Sequence, residues 1–153
     1  MRKKEKEITD KGVIEAILQE APVCRIAMSK DNRPYIVPMN FGYEDGALYL
    51  HTGHRGMKID FIRENPLVCF EAESRVETVR AESACGWGMR YLSVVGSGRA
   101  SFVEDPAGKR AALGVIMKKY SGRGDWEYSD KDFGATCIVK IEIEEMTGRR
   151  SGY

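Results

Sequence analysis

The chain of 153 residues is poor in the residues most metal and redox sites are built from. It has two histidines, His51 and His54. Its four cysteines, Cys24, Cys69, Cys85 and Cys137, form no C-x-x-C pair. Zinc-ribbon and dithiol readings therefore have little support, and no metal site is expected. No apolar run approaches the ~20 residues of a membrane span. The net charge is only +1, so no long-range field recruits nucleic acid or an anionic membrane. Neither a Walker loop nor a G-x-S-x-G elbow occurs. Residues 1–7 are highly charged and lack the apolar segment of a signal peptide, which makes the cytoplasm the expected compartment.

What remains is an ordinary globular composition, 42% hydrophobic and 31% charged. At 17.2 kDa one domain is expected, over residues 9–148, with a frayed charged tail at 1–8 and a short tail at 149–153. Val13, Ile14, Ile17 and Leu18 recur at helical spacing within 9–20, with Thr9 or Asp10 as cap and Pro22 after the end. Strands are expected at 23–29, 35–43, 47–51, 67–72, 89–103 and 135–145. Glu44-Asp45-Gly46 is a hairpin turn. A short helix at 57–63 turns Met57, Phe61 and Ile62 inward, and Asn65-Pro66 stops it. Asp105-Pro106 opens another helix, which Gly122 closes. Residues 73–84 read as a long loop or an irregular strand extension, and 123–132 as a loop. About six strands in short-loop succession with three helices predict a mainly β fold, an antiparallel barrel with peripheral helices.

Cys24, Cys69 and Cys137 sit in strand-like apolar runs and read as buried small hydrophobes. Gly96 and Gly98 inside the longest strand point to a bulge or a close backbone approach. Pro38 inside a strand means an edge or bulge, or a segment that leaves the ladder to offer backbone groups to a flat ligand. Gly96-Ser-Gly98 lies within a strand, which disqualifies it as a dinucleotide fingerprint.

Two stretches carry more. Residues 48–66 run from a strand through Thr52-Gly53 and the cationic loop His54-Arg55-Gly56 into a helix. Such a junction suits an anion, because free N–H groups and the positive helix end meet there. Lys58 falls in the first helical turn, where a cation is unfavourable unless an anion compensates it. The second stretch is Cys85-Gly-Trp-Gly-Met-Arg-Tyr-Leu-Ser-Val94. Trp87, Met89 and Tyr91 share one face of an extended segment, as core packing or as a wall for a planar ring.

The order of Arg33-Pro-Tyr-Ile-Val-Pro-Met39, Leu48-Tyr-Leu-His51 with Gly56 and Lys58, Asn65-Pro66 with Val68-Cys-Phe70, the Cys85–Val94 stretch and Lys140-Ile-Glu-Ile-Glu-Glu-Met-Thr-Gly148 resembles one known family. It is similar to the pyridoxamine-5'-phosphate-oxidase-like, FMN-binding split-barrel flavoproteins, in the branch related to nitroimidazole reductases, the 5-nitroimidazole resistance proteins. The resemblance implies an antiparallel split β-barrel and a homodimer with FMN at the interface. By its pattern, Val37, Pro38, Met39 and Asn40 run along the flavin ring, and His51, Thr52, Gly53, Met57 and Lys58 hold the phosphate. Trp87, Arg90, Tyr91 and Ser93 approach the ring, in relatives often from the partner subunit. The arginine-rich phosphate pattern of the true oxidases is missing, and so is their C-terminal substrate segment, so pyridoxamine phosphate is not the expected substrate. The implied activity is FMN-dependent oxidoreduction from a transiently stacked reduced nicotinamide to a small acceptor such as a nitroaromatic or quinone. A flavin carrier or sensor, or a haem- or deazaflavin-binding relative, is the alternative.

Overall fold

A computed structural model describes residues 4–153. The helices are α1 (Lys11–Glu20), α2 (Met57–Glu64), α3 (Pro106–Ser121) and α4 (Asp130–Ala135). The strands are β1 (Glu7–Ile8), β2 (Cys24–Lys30), β3 (Arg33–Met39), β4 (Phe41–Glu44), β5 (Ala47–Thr52), β6 (Leu67–Val79), β7 (Gly88–Val103) and β8 (Cys137–Ser151). All pairings are antiparallel, in the order β3-β2-β6-β7-β8-β5-β4, with β1 added beside β8. Among the described residues no helix is long and apolar enough to cross a membrane.

The two ends of that order explain the architecture. β3 and β4 are the opposite edges of the sheet, yet only Asn40 separates them in the chain. Consecutive Cα atoms lie about 3.8 Å apart, so Met39 and Phe41 are within roughly 7.6 Å. The sheet must therefore curl until its edges meet, without a ladder between them. This is a split barrel, mainly antiparallel sheet with peripheral helices, and its sheet is not closed. The expected single strand over 35–43 is thus two strands, and Pro38 lies on an edge strand, where its missing N–H costs nothing.

The core lies inside the curl. Ile14, Ile17 and Leu18 of α1 meet Ile26, Phe41, Leu48, Leu50, Phe70, Val94 and Ile141. Burial of each such side chain contributes about 1.5–3 kcal/mol. Gly96 and Gly98 are required by this packing. A Cβ on Gly96 would stand 2.4 Å from the Phe70 ring, and one on Gly98 would stand 2.3 Å from the Glu142 carbonyl oxygen. The β7–β8 register also shifts between Ser97 and Gly98. The turns are chemical in origin too. Asp31-Asn32 and Asp45-Gly46 all have positive φ, the pattern of two-residue hairpins.

Several sequence-based expectations are corrected. Glu7 and Ile8 pair with Arg149 and Gly148, and β8 runs on to Ser151, so neither end is frayed at those positions; residues 1–3 lie outside the described residues. Of the two readings of residues 73–84, the irregular strand extension holds through Val79 and the long loop does not: β6 continues with a shift between Ser74 and Glu77 and makes an arm with β7. The polar stretch after α3 contains α4, capped by Ser129. Cys69 is exposed and Cys137 half-buried; of the three only Cys24 is buried. Strand alternation sends Cys69 outward with Leu67, while Val68 and Phe70 turn inward. In α2, Ile59, Phe61 and Ile62 are buried, and Met57 points out.

Candidate functional site

β5 ends at Thr52 and delivers the chain to the N-terminus of α2. Successive strand residues face opposite sides. Thr52 follows the inward row of Leu48 and Leu50, and His51 follows Tyr49 on the other side. His51 and Thr52 therefore cannot converge from one face. His54 is engaged elsewhere, its Nε2 lying 2.9 Å from the carbonyl oxygen of Gly134, at the end of α4.

The start of α2 differs from those of the other three described helices. Asp10 accepts from the Val13 N–H to cap α1, Asp105 from the Gly108 N–H to cap α3, and Ser129 from the Asp132 N–H to cap α4. At α2 the cap position is Gly56, with φ 125 and no side-chain hydrogen bond. The first N–H groups of α2 are thus left without a side-chain acceptor, and the next residues are Met57 and half-buried Lys58. A Cβ on Gly53 or Gly56 would meet nothing within 4 Å, so the loop is open above these donors. Donor groups, a positive helix end and a lysine fit a phosphate.

α2 packs beside the β2–β3 turn. The Phe61 and Tyr35 rings lie 5.3 Å apart, and Asn65 donates to the Ser29 carbonyl at 3.0 Å. Lys30 pairs with Glu64. Met57 lines a cleft of about 350 Å³ with Lys30, Asp31, Arg33, Asp60 and Phe61. From there β3 leads to Val37, Pro38, Met39 and Asn40. Val37 and Met39 pack on the core, and Pro38 and Asn40 are exposed. The Met39 carbonyl accepts from the Cys24 thiol at 3.7 Å, and burial pushes that thiol up to about 12.

Trp87, Arg90, Tyr91 and Ser93 lie elsewhere on the sheet. Trp87 follows a 3-10 turn at the tip of the β6–β7 arm and is 53% exposed, Met89 is also exposed, and Ser93 is buried. Pro38 stands opposite Arg25, Arg25 opposite Glu71, and Glu71 opposite Val95. At about 4.8 Å per strand and 3.3 Å per residue, Tyr91 is roughly 20 Å from Pro38 in the same chain. The start of α2 and the β3 strip thus lie along one edge, and Trp87, Arg90, Tyr91 and Ser93 stand apart.

One residue at this edge escaped the sequence reading. Tyr120 reads as part of the apolar face of α3, but its hydroxyl accepts the Phe41 N–H at 3.0 Å and donates to the Pro22 carbonyl at 2.9 Å. It ties the start of β4 to the link between α1 and β2, just past the last β2–β3 pair, Cys24 with Met39, and burial raises its pKa. A tyrosine among apolar helix positions, with Pro22 after the end of α1, is the trace of this in the sequence.

Comparison with known proteins agrees with the architecture. The family model described as pyridoxamine 5'-phosphate oxidase matches residues 10–150. The chain is 32% identical over 146 residues to an uncharacterised protein of Rhizobium meliloti (strain 1021), covering 88% of each. A structure from Bacteroides thetaiotaomicron VPI-5482, given as a candidate 5-nitroimidazole antibiotic resistance protein, superposes with a TM-score of 0.83 at 35% identity, over 94% of this chain and 86% of that one. A FAD-binding protein from Mesorhizobium loti superposes with a TM-score of 0.69 at 26% identity, over 94% and 96%. The chain therefore belongs to the pyridoxamine 5'-phosphate oxidase family.

Proposed function

We propose that this protein is an FMN-dependent oxidoreductase that works as a homodimer. It would pass reducing equivalents from a reduced nicotinamide to a small acceptor such as a nitroaromatic or quinone. The observation that carries the reading is the uncapped start of α2, with Lys58 beside its free N–H groups at one end of the β3 edge. Lys58, Met57, Thr52 and Gly53 would hold the phosphate, and the backbone of Val37 to Asn40 would border the ring. The bound flavin would supply the two-electron chemistry, and the protein supplies binding, orientation and exclusion of water. The FAD-binding relative supports a flavin in this fold, and the resistance-protein relative supports a nitroaromatic acceptor.

The distances within one chain support the dimer. Trp87, Arg90, Tyr91 and Ser93 are too far from β3 to wall the same ring within one chain. Ile36, Leu67, Val95, Trp87 and Met89 are exposed apolar side chains on this sheet and its arm. A second copy that covered them would bring its own arm to the β3 edge of the first. His51, turned to the other side of β5, would take no part in holding the phosphate. The test is spectroscopic. The purified protein, supplied with FMN, should show flavin absorption that NADH or NADPH bleaches and a nitroaromatic restores. A spectrum of free FMN, unchanged by the protein, would refute the reading.

A further inference from the structure

A groove of about 630 Å³ lies away from β3 and α2. It runs between α1, α3 and the β4–β5 turn. Lys11, Glu15, Tyr43, Glu44, Lys118 and Lys119 are among the residues that line it. Lys119 is unlike the other two lysines. Its Nζ donates to the Leu18 carbonyl at 2.7 Å, in the last turn of α1, and sits 3.2 Å from the centroid of the buried Phe41 ring. It is thus held in one position against an aromatic face at the wall of an open groove. Burial lowers its pKa to about 8, and among the described residues no carboxylate is paired with it. Lys11 is paired with Glu15, which also accepts from the Tyr43 hydroxyl at 2.7 Å.

We infer that Lys119 is a covalent site for small uncharged aldehydes, which enter the groove and condense with its amine. A desolvated lysine against apolar surface is the usual source of a nucleophilic amine at neutral pH. The step balances without a redox partner. The nitrogen lone pair attacks the carbonyl carbon, the two N–H hydrogens leave with the carbonyl oxygen as water, and a C=N bond remains. Water reverses it. The lining carries both signs, with Lys11 and Lys118 beside Glu15, Glu44 and Asp45, so it selects neither an anion nor a cation and suits an uncharged partner. The site is independent of the flavin reading and stands or falls without it.

The experiment treats the full-length protein with glycolaldehyde and sodium cyanoborohydride at pH 8, which fixes any imine as a secondary amine, and maps the adduct by peptide mass spectrometry. The expected result is one dominant adduct on Lys119, formed at least about tenfold faster than on any other lysine, as its larger neutral fraction requires. In Lys119→Arg, which keeps a donor for Leu18 and a cation over Phe41, that adduct should disappear while the melting temperature changes little. Adducts spread over Lys11, Lys118 and other exposed lysines, no adduct on Lys119, or an undiminished total in Lys119→Arg would each overturn the inference.

Discussion

The Tyr120 hydroxyl joins the start of β4 to Pro22, in the link between α1 and β2. It takes the Phe41 N–H at 3.0 Å where β4 begins and gives its own proton to Pro22 at 2.9 Å. Three segments distant in sequence are joined by one oxygen, one residue from the Val37–Asn40 strip.

Tyr120→Phe keeps the ring and removes that oxygen. The Phe41 N–H and the Pro22 carbonyl then lose a partner, and the expected loss of stability is about 1–3 kcal/mol. Urea unfolding measures it. On the flavin reading FMN affinity should fall as well, because Asn40 is no longer pinned. A variant as stable as the parent would show that water replaces the hydroxyl without loss.

The glycines of β7 and of the β5–α2 loop should respond in opposite ways. Gly98→Ala places a Cβ 2.3 Å from the Glu142 carbonyl oxygen. Backbone must move, at a cost of about 1–3 kcal/mol or more. Gly53→Ala meets nothing within 4 Å and should leave stability within about 0.5 kcal/mol. Thermal melts of the two variants check the contrast.

These glycines also mark what was legible in the sequence. Gly96 and Gly98, Asp45-Gly46, Asn65-Pro66, Asp105-Pro106 and Gly122 act through local chemistry, and each expectation drawn from them agrees with the structure. The misses depend on distant partners. The Phe41 N–H just after the strand break at Asn40 is met by Tyr120, about 80 residues away in the chain. The β6–β7 arm carries polar residues on both faces and a bulge with Arg75 at φ 53, so alternation left an irregular strand extension and a loop both open, and only the extension holds. Arg75 is held by Glu20 of α1 at 2.6 Å and by the Tyr153 hydroxyl, which donates to its carbonyl at 2.8 Å. That tie also orders the C-terminal end. In the candidate site, Lys58 and the open glycines were legible as a junction. That His51 and Thr52 face apart, and that Trp87 and Tyr91 stand far from β3, required the register.

Stability should carry the signature of Lys119 in its pH dependence. Burial holds its pKa near 8, against about 10.4 in an unfolded chain. Between those values the unfolded chain keeps a proton that the native state has released, so this group makes stability rise with pH over that window. Tyr43 and Cys24, both pushed up to about 12 by burial, act in the opposite direction at higher pH. The parent protein minus Lys119→Met isolates the lysine. That difference should grow in favour of the parent from pH 8 to 10, and a flat difference in denaturant unfolding would show that Lys119 stays charged.

Lys58→Ala should weaken FMN binding about tenfold or more, from loss of one charge-assisted contact. Riboflavin, which lacks the phosphate, should bind the parent and the variant alike. Fluorescence titration of both flavins separates a phosphate role from a general loss of fold.

The most direct test of the shared site is sedimentation velocity with FMN, followed at a flavin wavelength. The account predicts that the flavin signal moves with a dimer, at one FMN per chain, and that Trp87→Ala or Tyr91→Ala lowers that occupancy. Flavin sedimenting with a monomer, at the same affinity, would contradict it.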